Sequence, residues 1–282
     1  MSRAFSLRIF LPSGDPAGLR IVEKTNWTGH GLVVPRALFS EAKARAELDR
    51  AGVYLLVGES ERGPMSRLYI GEGDPVRPRL ESHARAKDFW THAVVFTSKG
   101  DPLNKAQVQM LEARLVQLAD KAKRCELENG NTPQPPSMSE AEVAEVEAFL
   151  DDVRLCLPAI GYTQIEVGAP KVAKAQRLFL KGRGIQAEGA ETASGFVVFA
   201  DSGATSDVAP SCPASLIELR DELLRNGALQ ARGEKWVLST DYVFSSPSTA
   251  AGVLLGCSWN GLDAWMTTDG RTLKELREGS SD

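Results

Sequence analysis

The stretches Gly52-Val53-Tyr54-Leu55-Leu56-Val57 and Arg67-Leu68-Tyr69-Ile70-Gly71 decide how this chain reads. Both are short apolar runs of Val, Leu, Ile and Tyr. Between them lies a polar turn, Glu59-Ser60-Glu61-Arg62-Gly63-Pro64. Two such runs joined by a Gly-containing turn predict a β-hairpin. It carries one Tyr on each strand, Tyr54 and Tyr69. Both strands read as central and buried, and a buried phenol needs a partner for its hydroxyl. Two phenols next to basic side chains suit proton handling on a phosphate ester.

Downstream, Arg79 and His83 stand four apart and so share a helix face. A strand is predicted over Thr91–Ser98. A long helix follows from about Leu103 to Lys123, with Val108, Leu111, Leu115 and Leu118 as its buried stripe. Glu112 borders that stripe. Asn129 to Pro136 is a Pro-rich loop, and Ser139-Glu140-Ala141-Glu142 is a capping box opening a helix that ends at Pro158. Asp74-Pro75 reads as a helix start, Asp as N-cap and Pro as first helical residue.

The ordered set Gly52-Val53-Tyr54, Tyr69-Ile70-Gly71, Arg79 with His83, Glu112 and then Asn129 or Asn131 resembles the GIY-YIG nuclease superfamily. The six elements span about eighty residues, and Val53 in place of Ile is a conservative strand residue. The resemblance implies a small mixed sheet flanked by helices and hydrolysis of nucleic-acid phosphodiester bonds, with DNA as the expected substrate. It implies Mg²⁺, for which Mn²⁺ could substitute, held by Glu112. Tyr54 becomes the candidate general base and Tyr69 its partner; which of the two takes the proton stays open. Arg79 would grip phosphate, His83 would donate to phosphate or orient a Tyr, and Asn131 would hold the loop or the site, with Asn129 an alternative. Gly71 would let backbone and substrate approach, and Arg85 and Lys105 would follow a nucleic-acid backbone. Ordinary alternatives exist for each: a surface Glu, a half-exposed helix His, a strand-ending Gly, a loop cap, solvated cations.

Composition sets the outer bounds. The chain has 282 residues, which fits two domains. No apolar run approaches the roughly 20 residues of a membrane helix, and Met1-Ser2-Arg3-Ala4-Phe5 does not read as a signal peptide. Four scattered cysteines without Cys-x-x-Cys give neither a standard zinc site nor a disulfide scaffold. Reduced thiols and a cytoplasmic setting are expected. Net charge is −4, but residues 1–100 hold 15 basic against 11 acidic side chains, so the region with the two tyrosines is the basic one.

The expected class is α+β. Residues 1–50 read as a β-rich N-terminal extension, with strands at Leu7–Leu11, Leu19–Val22 and Gly31–Val34 and a helix over Ser40–Arg50. Residues 51–160 form the nuclease domain with its following helix, 161–176 a linker, and 177–282 a C-terminal accessory domain. In that last part the run Asp241 to Ala251, Gly256, Asn260-Gly261 and Trp265 resembles a domain of uncharacterised function found attached to GIY-YIG proteins. It reads as scaffold, or as a surface for a protein partner. Trp236, Trp259 and Trp265 read as core residues or as base-stacking rings, and Asn260-Gly261 as a turn. The leading expectation is a metal-dependent endonuclease of DNA repair or of defence against foreign DNA. The alternative is a catalytically silent nucleic-acid-binding or protein-interaction module.

Overall fold

The computed structural model describes residues 4–61, 63–168, 176–233 and 235–279. The chain is α+β and divides into two compact units. The first is Met1–Ser60, Ser66–Asp120 and Arg124–Glu166; the second is Glu61–Met65, Lys121–Lys123 and Val167–Asp282.

The first unit is built on a seven-stranded sheet. Its strands are β1 (Leu7–Phe10), β2 (Arg20–Lys24), β3 (Gly29–Pro35), β4 (Gly52–Glu59), β5 (Ser66–Gly73), β6 (Trp90–Ser98) and β7 (Cys125–Leu127), in the order β1-β2-β3-β6-β4-β5-β7. Every pairing is antiparallel except β5 with β7. Its helices are α1 (Phe39–Ala42), α2 (Arg77–Ala86), α3 (Lys105–Ala122) and α4 (Glu140–Ala159). On one face Val53, Leu55, Ile70 and Phe96 pack with Leu111 and Leu115 of α3 and with Leu150 and Val153 of α4. On the other, Tyr54, Leu56 and Val95 pack with Phe39 of α1 and Leu80 of α2. Covered on both sides, β4 is buried at every residue up to Gly58. A strand so placed reads as a continuous apolar run rather than an alternating one. The capping box on α4 forms, with Ser139 and Glu142 bonding each other's backbone N–H.

Three expectations change. The strands of residues 1–50 do not stand apart: β3 pairs with β6 from Gly29↔Ser98 to Pro35↔His92, so the supposed extension is part of the same sheet. The helix over Ser40–Arg50 shrinks to α1 and a 3₁₀ turn at Ala46–Asp49. Ala42 and Leu48 are the buried apolar residues of that stretch, and two are too few for a continuous helical stripe. Helix α2 starts at Arg77, with Val76 at the N-cap and Asp74 exposed before it.

The second unit holds two sheets. Strands β8 (Leu178–Gly182), β9 (Ile185–Thr192), β10 (Gly195–Val198) and β14 (Tyr242–Phe244) form the order β14-β10-β9-β8; β11 (Gly203–Thr205), β12 (Leu229–Arg232) and β13 (Lys235–Leu238) form β11-β13-β12. The helices are α5 (Ala214–Arg225), α6 (Pro247–Leu255), α7 (Gly261–Ala264) and α8 (Leu273–Glu278). Helix α6 is capped by Ser246, buries every residue from Ala250 to Leu255, and stops at Gly256 in the left-handed region. That helix has no polar face because the unit's core surrounds it. Arg220 of α5 is 1% exposed. Its guanidinium donates to the carbonyls of Val253 and Thr205 and lies 4.8 Å from the Trp236 ring centroid. Asn260-Gly261 is not a hairpin turn: the Asn260 side chain accepts from Leu262 N and caps α7. Trp265 is fully buried, whereas Trp259 is half exposed. Of the expected linker, residues 169–175 lie outside the described residues. No helix among the described residues is long and apolar enough to cross a membrane.

Candidate active site

The β4–β5 register builds the site. Tyr54 lies opposite Gly71, and Leu56 lies opposite Tyr69. The two tyrosines are therefore diagonal neighbours on one face of the sheet, with ring centroids 6.4 Å apart. Gly71 is needed because of Tyr54: a Cβ at 71 would lie 2.5 Å from Tyr54 Cζ and 2.9 Å from its Cε2. The phenol ring occupies the space that a side chain would fill. The close approach expected at Gly71 is thus an approach to Tyr54.

Helix α2 crosses the same face, held by buried Leu80. His83, one turn beyond Arg79, brings its Nε2 to 2.8 Å from the Tyr54 hydroxyl. Its ring centroid is 5.6 Å from that of Tyr54 and 4.8 Å from that of Tyr69. The buried phenol has its partner. Lys87, one turn further, sets its ammonium 4.6 Å from the Tyr69 ring centroid, within cation–π range.

The electrostatics follow from this packing. Burial chiefly, and then Lys87 and Arg79, pull the His83 imidazolium down to about 4, so the ring is neutral near pH 7. Burial raises the Tyr54 phenol above its ordinary value; the charges at Tyr69, Glu112 and Glu72 raise it further, and Arg79 works against them. Tyr69 shifts the same way, from burial first and then Glu112. Glu112 is held above the usual carboxylate range by burial and by Glu72, against Arg79 and Lys105. Arg79 and Glu112 thus act on both phenols, although they come from helices on different faces of the sheet. Among the described residues neither side chain makes a hydrogen bond or an ion pair, so a free guanidinium and a free carboxylate act on the tyrosines.

The other anticipated residues fall differently. Lys105 does not stand open to a ligand: its ammonium lies 2.5 Å from Glu72 Oε1. Arg85 is exposed and donates to the Glu81 carbonyl of its own helix at 3.2 Å, away from the tyrosines. Asn131 is exposed. Asn129 is the residue tied to the strand: its Oδ1 accepts from Ile70 N at 2.9 Å and its Nδ2 donates to Ile70 O at 2.8 Å. Strand β7 pairs with β5 as far as Leu68, and the Asn129 amide continues the ladder for one more step in the manner of a peptide group.

Sequence reasoning passed over Glu72. Leu68, Ile70 and Glu72 alternate onto the α3 side of β5, and Glu72 is 7% exposed. A carboxylate at a period-two position otherwise filled by Leu and Ile was the signal, because burying a charge costs free energy unless it is paired. Its Oε2 is buried without a hydrogen-bond partner. Among the described residues no group of three or more His, Cys, Asp or Glu is placed to hold a metal ion. The oxygen donors at hand are Glu112 and, next to it electrostatically, Glu72. Carboxylate oxygens completed by water suit Mg²⁺ or Mn²⁺ and not a soft ion.

Residues 178–277 match a family model described as Domain of unknown function (DUF4357). The match lies within the second unit and leaves the residues around Tyr54 outside it. No curated protein matches the chain, and no solved structure does.

Proposed function

We propose that the chain is a metal-dependent endonuclease of the GIY-YIG type that hydrolyses phosphodiester bonds, with DNA as the substrate expected from the resemblance. One observation carries this reading. The free Arg79 guanidinium and the free Glu112 carboxylate act on the same two phenols, one of which is hydrogen bonded to a neutral His83.

Each group answers a need of phosphodiester hydrolysis. The planar fork of Arg79 matches two non-bridging phosphate oxygens and stabilises the charge that builds on them. The Tyr54 phenol keeps its proton at neutral pH, so it works as a relay. It takes a proton from the attacking water while passing its own to His83 Nε2. Tyr69, packed at a tilt against His83 and covered by Lys87, orients the imidazole and presents a second hydroxyl. The fit of a divalent cation rests on the unpaired Glu112 carboxylate. When bound there, such an ion supplies Lewis-acid stabilisation of the phosphoryl oxygens and of the leaving alkoxide. The second unit, with α6 buried from Ala250 to Leu255 and with buried Arg220, serves as scaffold or as a surface for a protein partner.

The test is cleavage of single- and double-stranded DNA and RNA with Mg²⁺, Mn²⁺ or a chelator. Metal-dependent cutting is expected, abolished by Glu112→Ala. Arg79→Lys should lose nearly as much as Arg79→Ala. Tyr54→Phe should bind substrate normally and slow cleavage by about 10²–10⁴-fold, the size of a general-base contribution. Binding without any cutting would overturn the nuclease reading in favour of a silent nucleic-acid-binding module.

A further inference from the structure

The Glu72–Lys105 pair carries more than a structural contact. Lys105 is the first residue of α3, and its side chain is about half exposed, whereas Glu72 is 7% exposed. A surface lysine therefore reaches inward to neutralise a buried carboxylate. It does so incompletely: Glu72 Oε1 takes the ammonium and Oε2 has no partner. Buried oxygens of that kind are normally satisfied. Glu112 stands two turns along α3 from Lys105 and so shares its helix face, and the Glu72 charge raises it. Two carboxylates thus share one local region, one unpaired and the other half-paired to a mobile type of cation.

We propose that Glu72 is a second carboxylate of the cation site at Glu112, and that Lys105 stands in for the cation until the cation arrives. Divalent-ion binding and the Lys105–Glu72 pair are then mutually exclusive. This rests on the reading of Glu112 as a cation ligand. A four-carbon stem lets the ammonium swing into solvent when displaced, so the exchange leaves β5 and α3 in place. Released from Glu72, Lys105 becomes available to a phosphate backbone, the role its charge suggested in the sequence. Cation loading and substrate contact would be coupled through one side chain.

The experiment uses the full-length protein and Mn²⁺ alone, without nucleic acid, measuring free Mn²⁺ by electron paramagnetic resonance. Lys105→Met keeps the stem and removes the competitor, and should tighten Mn²⁺ binding by about two- to fivefold, the upper range of a partly exposed ion pair. Glu72→Gln should weaken it by about tenfold or more. In the Glu72→Gln background, Lys105→Met should have no further effect. Lys87→Met removes an equal charge nearby and should change affinity less than about twofold. Thermal unfolding gives a second readout: Mn²⁺ should raise the midpoint of Lys105→Met more than that of the parent. Unchanged or weaker binding by Lys105→Met, an effect equal to that of Lys87→Met, or normal binding by Glu72→Gln overturns the proposal. If Glu112→Gln alone loses Mn²⁺, the cation reading stands and this one falls. If Glu112→Gln binds like the parent, or no variant binds, both fall.

Discussion

Replacing Gly71 by Ala tests the site's geometry without removing a polar group. The added methyl would sit 2.5 Å from Tyr54 Cζ and 2.9 Å from Cε2, and real Cβ atoms do not approach carbon so closely. Tyr54 cannot step aside cheaply, being 1% exposed and packed among Leu56, Val95 and Leu80. Overpacking of a tight core costs about 1–3 kcal/mol. A displaced ring also gives up the 2.8 Å hydrogen bond to His83, worth about 0.5–1.5 kcal/mol. Lower entropy of the unfolded chain returns about 0.4–1 kcal/mol. The net is a loss of about 2 kcal/mol, readable as a lower midpoint in urea unfolding. Tyr54→Ala should by itself cost about 3–5 kcal/mol, but it empties the contested space. Adding Gly71→Ala to it should then cost close to nothing, a coupling of about 2 kcal/mol in the double-mutant cycle. A Gly71→Ala protein that unfolds at the parent's midpoint, or the same penalty in both backgrounds, would refute the reasoning.

Asn129→Ala removes both side-chain bonds to Ile70 and should cost about 1–2 kcal/mol, while Asn131→Ala, at an exposed position, should stay within about 0.5 kcal/mol; the reverse order in urea unfolding would restore Asn131 as the anchor. His83 is held down to about 4 in the folded chain, below the unfolded value near 6.5. Its contribution to stability is therefore present above about pH 6.5 and lost as pH falls toward 4. His83→Gln should flatten the unfolding temperature across that window, and an unchanged slope would contradict this. Arg220→Met keeps an apolar stem but takes the guanidinium off the Trp236 ring and strips the donors from two buried carbonyls. It should cost about 2–4 kcal/mol and speed hydrogen exchange in α6, which equal exchange rates would disprove.

The fold was legible where local pattern and tertiary setting agree. The hairpin, the stripe of α3 and the capping box at Ser139 follow from residues within a few positions of each other. The chain misleads where distant residues decide. That β3 joins the sheet depends on β6, some sixty residues later, and nothing in Gly29–Pro35 names its partner. Asn260-Gly261 has the composition of a turn, yet its side chain finds a helical N–H. At the site, Tyr54, Tyr69, Arg79, His83 and Glu112 were all named from sequence, and the structure brings Tyr54, Tyr69 and His83 into contact. Glu72 escaped because it looks like any polar strand residue until its neighbours on that face are seen to be Leu and Ile. Asn129 and Asn131 differ only in which of them reaches the β5 edge, a matter of about 6–7 Å of chain.

The position of β6 bears on how the molecule comes into being. It is the last of the first unit's long strands to be synthesised and the one that lies between β3 and β4. Until it emerges, the nascent chain holds two separate fragments: the β1–β3 meander and the β4–β5 hairpin. Each fragment presents an open edge to its surroundings, and such edges recruit other chains. The tyrosine pair can form early, since its hairpin is local. The layer behind it cannot close until Trp90–Ser98 inserts like a wedge and fastens both fragments at once. Protein synthesis thus delivers the tyrosine hairpin first and its rigid support afterwards, and the interval between them is where this chain is most exposed to misassembly.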